Sequence, residues 1–301
     1  METRWLEDFL SLADTGSFTR SAQARYLTQP AFSRRIRALE SWLGADLIDR
    51  TTYPTRLTPA GEQFRAQAVA MLEQINGARA QIRGQKPLPP DSIVFAVPHT
   101  LSLTFFPKWL STMDKRLGAF SCRLEASNVH DAVLSLVEAG CDLLMAYHHP
   151  QQPINLDPER YEGLRLGVER LAPYSRCDRS RTPQFRLPGS RHAPLPFLGY
   201  AADAYLRRMT DLILERQPGF LEQRYETDMA EGLKNMALEG HGVAFLPESI
   251  AAREVKRGQL TLAGDQSWTL EMEIRLYKDR KRRRARLDAL WQTLCQEYPA
   301  V

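Results

Sequence analysis

The pattern of apolar residues changes character at Pro87-Leu88-Pro89-Pro90. Before this run the apolar residues recur at spacings of three and four. After it, short continuous apolar runs alternate with helical stretches. A stiff proline spacer between two periodicities implies two units with separate cores. The length of 301 residues accommodates that, since domains commonly run to roughly 100–200 residues. No apolar run approaches the ~18 residues of a membrane span, and the opening METRWLEDFL lacks the basic and apolar regions of a signal peptide. Cys122, Cys141, Cys177 and Cys295 are scattered with no CxxC pair, so neither a metal site nor a disulfide framework is expected. A cytoplasmic protein without cofactor fits best.

The first unit, 1–58, reads as short helices. Trp5, Phe9, Leu10 and Leu12-Ala13 form one stripe, which Gly16 ends. Ser17 is placed to cap a second helix reaching about Arg25, and Thr28 to cap a third with Pro30 in its first turn. In the third helix, at 100° per residue, Ile36, Leu39 and Leu43 fall within about 40° of Phe32. Pro30, Ser33, Arg34, Arg37 and Ser41 fall on the opposite face, with Gln29 beside it at the N-terminus and Arg35 on the flank. A short helix with an apolar back and a small, arginine-bearing front suits a DNA major groove. Charge agrees: five arginines and no acid lie between Asp14 and Glu40, although the whole chain carries only +4. Two extended pieces around Tyr53-Pro54 read as a wing, with Arg50 and Arg56 placed for phosphates.

Thr58-Pro59 opens a long helix, 59–86. Phe64, Ala68, Met71, Leu72, Ile75, Ala78 and Ile82 give it a seam that calls for a twin helix, hence a homo-oligomer; packing on its own domain is the competing reading. From 91 to 301 the β-α-β order implies parallel strands flanked by helices in two subdomains, about 91–162 with 269–301, and 163–268. Ligands of such units bind beyond the carboxyl ends of strands. This nominates Thr100, Ser102 and Asn128 in the first subdomain, and Tyr200, Ala201, Thr227, Asp228 and Met229 in the second. Local capping by the same side chains is the competing reading. The basic run Lys278–Arg286 reads as a solvated helix start, or else a phosphate or subunit contact.

Several ordered segments resemble the LysR-type regulators: Gly16-Ser17-Phe18-Thr19, Gln29-Pro30-Ala31-Phe32-Ser33, Leu47-Ile48-Asp49-Arg50 and Leu57-Thr58-Pro59-Ala60-Gly61. Gly140-Cys141-Asp142-Leu143 and Gly240–Pro247 match the family's effector domain more loosely. The resemblance implies a winged helix-turn-helix, a linker-helix dimer or dimer of dimers, and an effector domain built like periplasmic binding proteins. It implies that Gln29, Pro30, Ser33 and Arg34 read bases of double-stranded promoter DNA. Arg50 and Arg56 would touch its backbone, and the loop at Thr100 and Ser102 would hold a polar or anionic small-molecule effector. RNA polymerase is a further possible partner; no membrane is expected.

Within the family the chain is most similar to the hypochlorite-responsive HypT branch, through Gln29–Glu40 and His99-Thr100-Leu101-Ser102-Leu103. That branch implies an oxidant sensor, for which Cys177, flanked by Arg176, Arg179 and Arg181, and Met229 are the sulfur candidates. The alternative within the family is a sensor of small metabolite anions. A solute-binding protein or enzyme with an incidental helical domain lacks support, because no export signal, GxSxG or P-loop is present. A DNA-architectural protein would not need the α/β unit.

Overall fold

The computed structural model describes residues 2–25, 27–52, 54–82, 89, 91–138, 140–282 and 284–301. Tyr53, the stretch expected at 83–88 as helix end and spacer, and Pro90 fall outside them.

The first unit comprises α1 (Thr3–Thr15), α2 (Phe18–Ala24), α3 (Gln29–Leu43), a two-stranded wing of β1 (Ile48–Asp49) and β2 (Arg56–Leu57), and α4 (Pro59–Ile82). Ser17 Oγ accepts the Arg20 N–H at 3.4 Å, whereas Thr28 precedes α3 without a side-chain cap. Gly16 and Gly44 close α1 and α3 in the left-handed region, at φ 57° and 70°. Thr58 Oγ1 accepts the Gly61 N–H at 3.0 Å. Gly61 is held to its type by space: a Cβ there would lie 2.1 Å from the Leu47 carbonyl oxygen. The core is Leu6, Phe9, Leu10, Phe32, Ile36 and Leu39, all buried.

The seam of α4 divides between the two readings. Phe64, Ala68 and Leu72 are buried in this same core, with the Phe64 ring 5.3 Å from that of Phe9. The first half of α4 is therefore occupied by its own unit, because α1 lies alongside it. Ile75, Ala78 and Ile82 remain outside that core, with Ile82 86% exposed.

The second unit runs β3 (Ile93–Pro98), α5 (His99–Thr104), α6 (Phe106–Leu117), β4 (Cys122–Ser127), α7 (Val129–Val137), β5 (Leu143–His148), β6 (Tyr161–Arg176), β7 (Leu195–Tyr200), α8 (Tyr205–Arg216), β8 (Leu221–Thr227), α9 (Ala230–Leu238), β9 (Val243–Pro247), α10 (Glu248–Lys256), β10 (Leu260–Leu262), a 3-10 turn at Gln266–Trp268, β11 (Leu270–Asp279) and α11 (Ala285–Glu297). The sheet order is β4-β3-β5-β11-β6-β9-β7-β8, with β10 on β6. The two subdomains are thus one sheet, crossed by the long antiparallel pair β6 and β11.

The register shows how the two halves meet. β5 ends at His148, opposite Glu273 of β11, which in turn pairs with Val168 of β6. β9 ends at Pro247, opposite Leu171 of the same strand. The carboxyl ends of the two parallel sets therefore converge on residues 168–171 of β6, and the cleft opens there.

The basic run is also corrected. Lys278 is 1% exposed, between Glu162 at 3.3 Å and Asp288 at 3.4 Å, and over the Trp291 ring. Arg282 and Arg284 both reach the buried Asp142, and Arg284 also reaches the Ser92 carbonyl. Much of the run braces β11 and α11 against the sheet instead of facing water.

Candidate nucleic-acid interface and effector cleft

The outer face of α3 carries Gln29, Pro30, Arg34 and Arg37 exposed and Ser33 half-buried, while Phe32, Ile36 and Leu39 on its back are fully buried. Among the described residues Arg34 and Arg37 have no ion-pair partner. The other arginines of the acid-free stretch differ. Arg35 Nη1 donates to Asp8 Oδ2 at 3.2 Å, Arg25 is held by Asp8 and Glu7, and Arg20 donates to the Thr15 carbonyl. Arg25 and Arg35 are thus neutralised by acids, whereas Arg20 keeps its charge at an exposed position, so the free positive charge of this stretch lies at Arg20 and on the front of α3.

In the wing, Arg56 is exposed. Arg50 is held from behind: its Nη2 reaches Glu40 Oε2 at 2.5 Å and its guanidinium lies 6.0 Å from the Phe18 ring centroid. Glu40 is buried, and its other oxygen accepts the Leu47 and Ile48 N–H groups at 3.0 and 3.1 Å. One carboxylate therefore ties the end of α3 to the wing and orients Arg50.

At the cleft, the parallel register places Pro98 beside Ser127 and Tyr200 beside Thr227. Thr100 and Ser102 are thus brought near Asn128, and Tyr200 and Ala201 near Thr227, Asp228 and Met229. Several of these side chains already have local partners. Thr100 and Ser102 lie in α5 and not in a loop, with Thr100 buried and Ser102 Oγ donating to the His99 carbonyl at 2.7 Å. Asn128 Oδ1 caps α7 through the Asp131 N–H at 2.8 Å. The Ala201 N–H donates to the Thr227 carbonyl at 3.0 Å. Tyr200 is 1% exposed, and neither its hydroxyl nor that of the buried Tyr147 has a hydrogen-bond partner among the described residues. Asp228 and Met229 are exposed, with Met229 immediately before α9.

A cavity of about 510 Å³ lies at the same boundary, between α6, β6 and the start of α10, with Phe105, Lys108, Trp109, Val168, Glu169 and Ser249 among its walls. Glu169 is buried there; burial pushes its carboxyl up, opposed by hydrogen bonds from Ser249. None of these six was nominated from the sequence. The apolar spacing of α6 was the available signal; Glu169 is one of several charged residues of β6, and nothing local marks it as buried. Ser249 is brought to the cavity by the first turn of α10.

Cys177 does not have the thiolate-favouring surroundings that its arginine neighbours suggested. Burial and Asp178 push the thiol up, Arg181 opposes only in part, and Sγ lies 3.2 Å from the Gly258 carbonyl oxygen, to which it donates.

The profile of bacterial regulatory helix-turn-helix proteins of the lysR family matches residues 3–62, and that of the LysR substrate binding domain matches 88–299. The chain belongs to the LysR family of DNA-binding transcriptional regulators. It is 31% identical over 98% of its length to the transcriptional regulator YjiE of Escherichia coli, covering 94% of that protein. The structure of Vibrio fischeri DarR in complex with DNA is similar, with a TM-score of 0.62 and 32% identity over 98% of both chains. Full-length HypT of Salmonella typhimurium, described as hypochlorite-specific, gives 0.59 and 30% over 98% of this chain and 97% of that one. As in those full-length relatives, the effector-binding domain of this LysR protein follows its helix-turn-helix. Among the described residues no helix is long and apolar enough to cross a membrane.

Proposed function

We propose that this regulator reads promoter DNA through Gln29, Pro30, Ser33, Arg34 and Arg37, holds phosphates with Arg50 and Arg56, and is gated by a small molecule in the cleft at residues 168–171. The observation that carries the DNA reading is the division of α3 into a fully buried apolar back and an exposed front with unpaired arginines. Self-association through the second half of α4 presents two such helices to two half-sites. An effector that prefers one angle between the subdomains shifts that geometry, and with it the bend of the DNA. Arg34→Ala is expected to cost about 1–3 kcal/mol of operator affinity and to relax base preference at one position. Footprinting on promoter fragments measures this; an unchanged preference contradicts the role.

A second reading, oxidant gating in the manner of the HypT branch, is favoured by the similarity to HypT and by the 41% exposure of Met229. Hypochlorite would deliver oxygen to the thioether, leaving chloride and a polar sulfoxide beside α9. Cys177 is the weaker sulfur because its thiol is pushed up. DNA binding of Met229→Leu and Cys177→Ser before and after hypochlorite separates the gates. A response retained by both variants removes these two sulfurs from the mechanism.

A further inference from the structure

We infer that the helix-turn-helix unit is docked on the effector domain of its own chain by a two-point ionic latch, and that α7 and the β6–β11 pair transmit the state of the cleft to it. This rests on the proposed reading of α3 and the cleft only for its consequence on DNA; the docking itself stands on the contacts.

The first point is Arg25, at the end of α2. Its Nη1 lies 2.7 Å from Glu138 Oε1 on the effector domain, while Nε and Nη2 reach Asp8 at 3.0 Å and Glu7 at 2.5 Å within its own unit. The Arg25 side chain is 13% exposed and Asp8 is wholly buried. The second point is Asp14, near the end of α1. It takes Arg65 of α4 at 2.7 Å, and from the effector domain Arg160 and, at 3.3 Å, the Tyr161 hydroxyl. Arg160 is itself buried and donates through Nε to Asp279 at 2.8 Å. A continuous chain, Arg65–Asp14–Arg160–Asp279, thus runs from the linker helix to the sheet. Removing one partner of such a pair leaves an uncompensated buried charge. Intermediate separations are therefore unfavourable: the contacts form, or both faces open to water.

Both points lie at the far ends of elements that reach the cleft. Asn128 caps α7 at the cleft, and Glu138 is the residue that ends it. Tyr161 starts β6 and Asp279 ends β11, the two strands that cross between the subdomains. A change of cleft angle moves both anchors relative to α1 and α2. The docked arrangement leaves the front of α3 exposed. The latch therefore sets the orientation of the reading helix, without covering it. By linkage, an effector that changes the docked fraction changes DNA affinity, and DNA changes effector affinity by the same factor.

Hydrogen–deuterium exchange on the full-length protein without DNA tests this, with Glu138→Arg and, separately, Asp14→Asn. In each variant, amides of α1 and of 129–138 are expected to exchange about tenfold faster, a coupling of ordinary size, with α8 and α9 unchanged. Footprints of both variants should keep the half-site base preference and change the extent of protected DNA. Unchanged exchange in both variants overturns the latch. Acceleration spread evenly over all helices also overturns it, because it assigns these residues to general stability. The Arg34→Ala footprint reports on the DNA reading independently: altered latch exchange with unaltered base preference sinks that reading and leaves the latch standing.

Discussion

Glu138 shows how a contact that holds a domain in place can also respond to solution conditions. Burial is the largest influence and pushes its carboxyl up to about 7; Arg25 opposes, while Glu7, Asp8 and Asp131 reinforce the rise. In the released state an exposed Glu138 returns toward its ordinary 4.5. The docked state therefore binds a proton more tightly, and docking gains stability as pH falls from about 7 toward 4.5. That gain is lost as pH rises through about 7, and above it both states are ionised. Glu138→Gln, which keeps an acceptor for Arg25, should abolish the dependence; the distance between labels on the two units, followed against pH, measures it. Glu40 is a buried acid with a structural task, pairing with Arg50 and accepting two backbone N–H groups. Glu40→Ala leaves the Leu47 and Ile48 N–H groups without their acceptor, at about 1–3 kcal/mol for each buried group. A drop in the thermal midpoint of the helix-turn-helix unit reports it, and an unchanged melt would remove Glu40 as the tie between α3 and the wing.

Helix α4 divides its apolar residues between two tasks. Phe64→Ala should destabilise the first unit by about 3 kcal/mol or more without changing self-association, because the ring packs on Phe9 inside the same chain. Ile82→Asp should do the reverse, since its side chain lies open. Sedimentation equilibrium beside a thermal melt distinguishes the two, and a dimer indifferent to Ile82→Asp would move the self-contact elsewhere. For α3 the sequence was a reliable guide, because the angle between Phe32 and Arg34 is fixed by helix geometry alone. It was a poor guide for the run at Lys278–Arg286. Lys278 finds Glu162 across the sheet, and Arg282 and Arg284 find Asp142. Spacing along the chain carries no trace of partners so far away.

For the whole molecule, the cores are separate: one ends at Leu72 and the others begin at Ile93. The fragment 91–301 should therefore melt cooperatively by itself, with Arg160 and Glu138 newly open to water. Circular dichroism measures this, and a fragment without a cooperative transition would show that docking is required for folding. A cooperative transition of the fragment assigns most of the effector domain's stability to its own sheet and flanking helices and leaves the latch to orient the DNA-binding unit.

Local chemistry wrote much of this protein into its sequence: the helices of the first unit, their glycine ends, the front and back of α3, and the alternation of strands and helices after the proline run. These depend on periodicities and caps that act over a few residues. The single sheet, the convergence of strand ends at 168–171, the cavity beside Glu169 and the bridge from Asp14 to Arg160 were decided by tertiary packing. Each joins groups far apart in the chain, and burial, which no spacing encodes, determines which charges must meet.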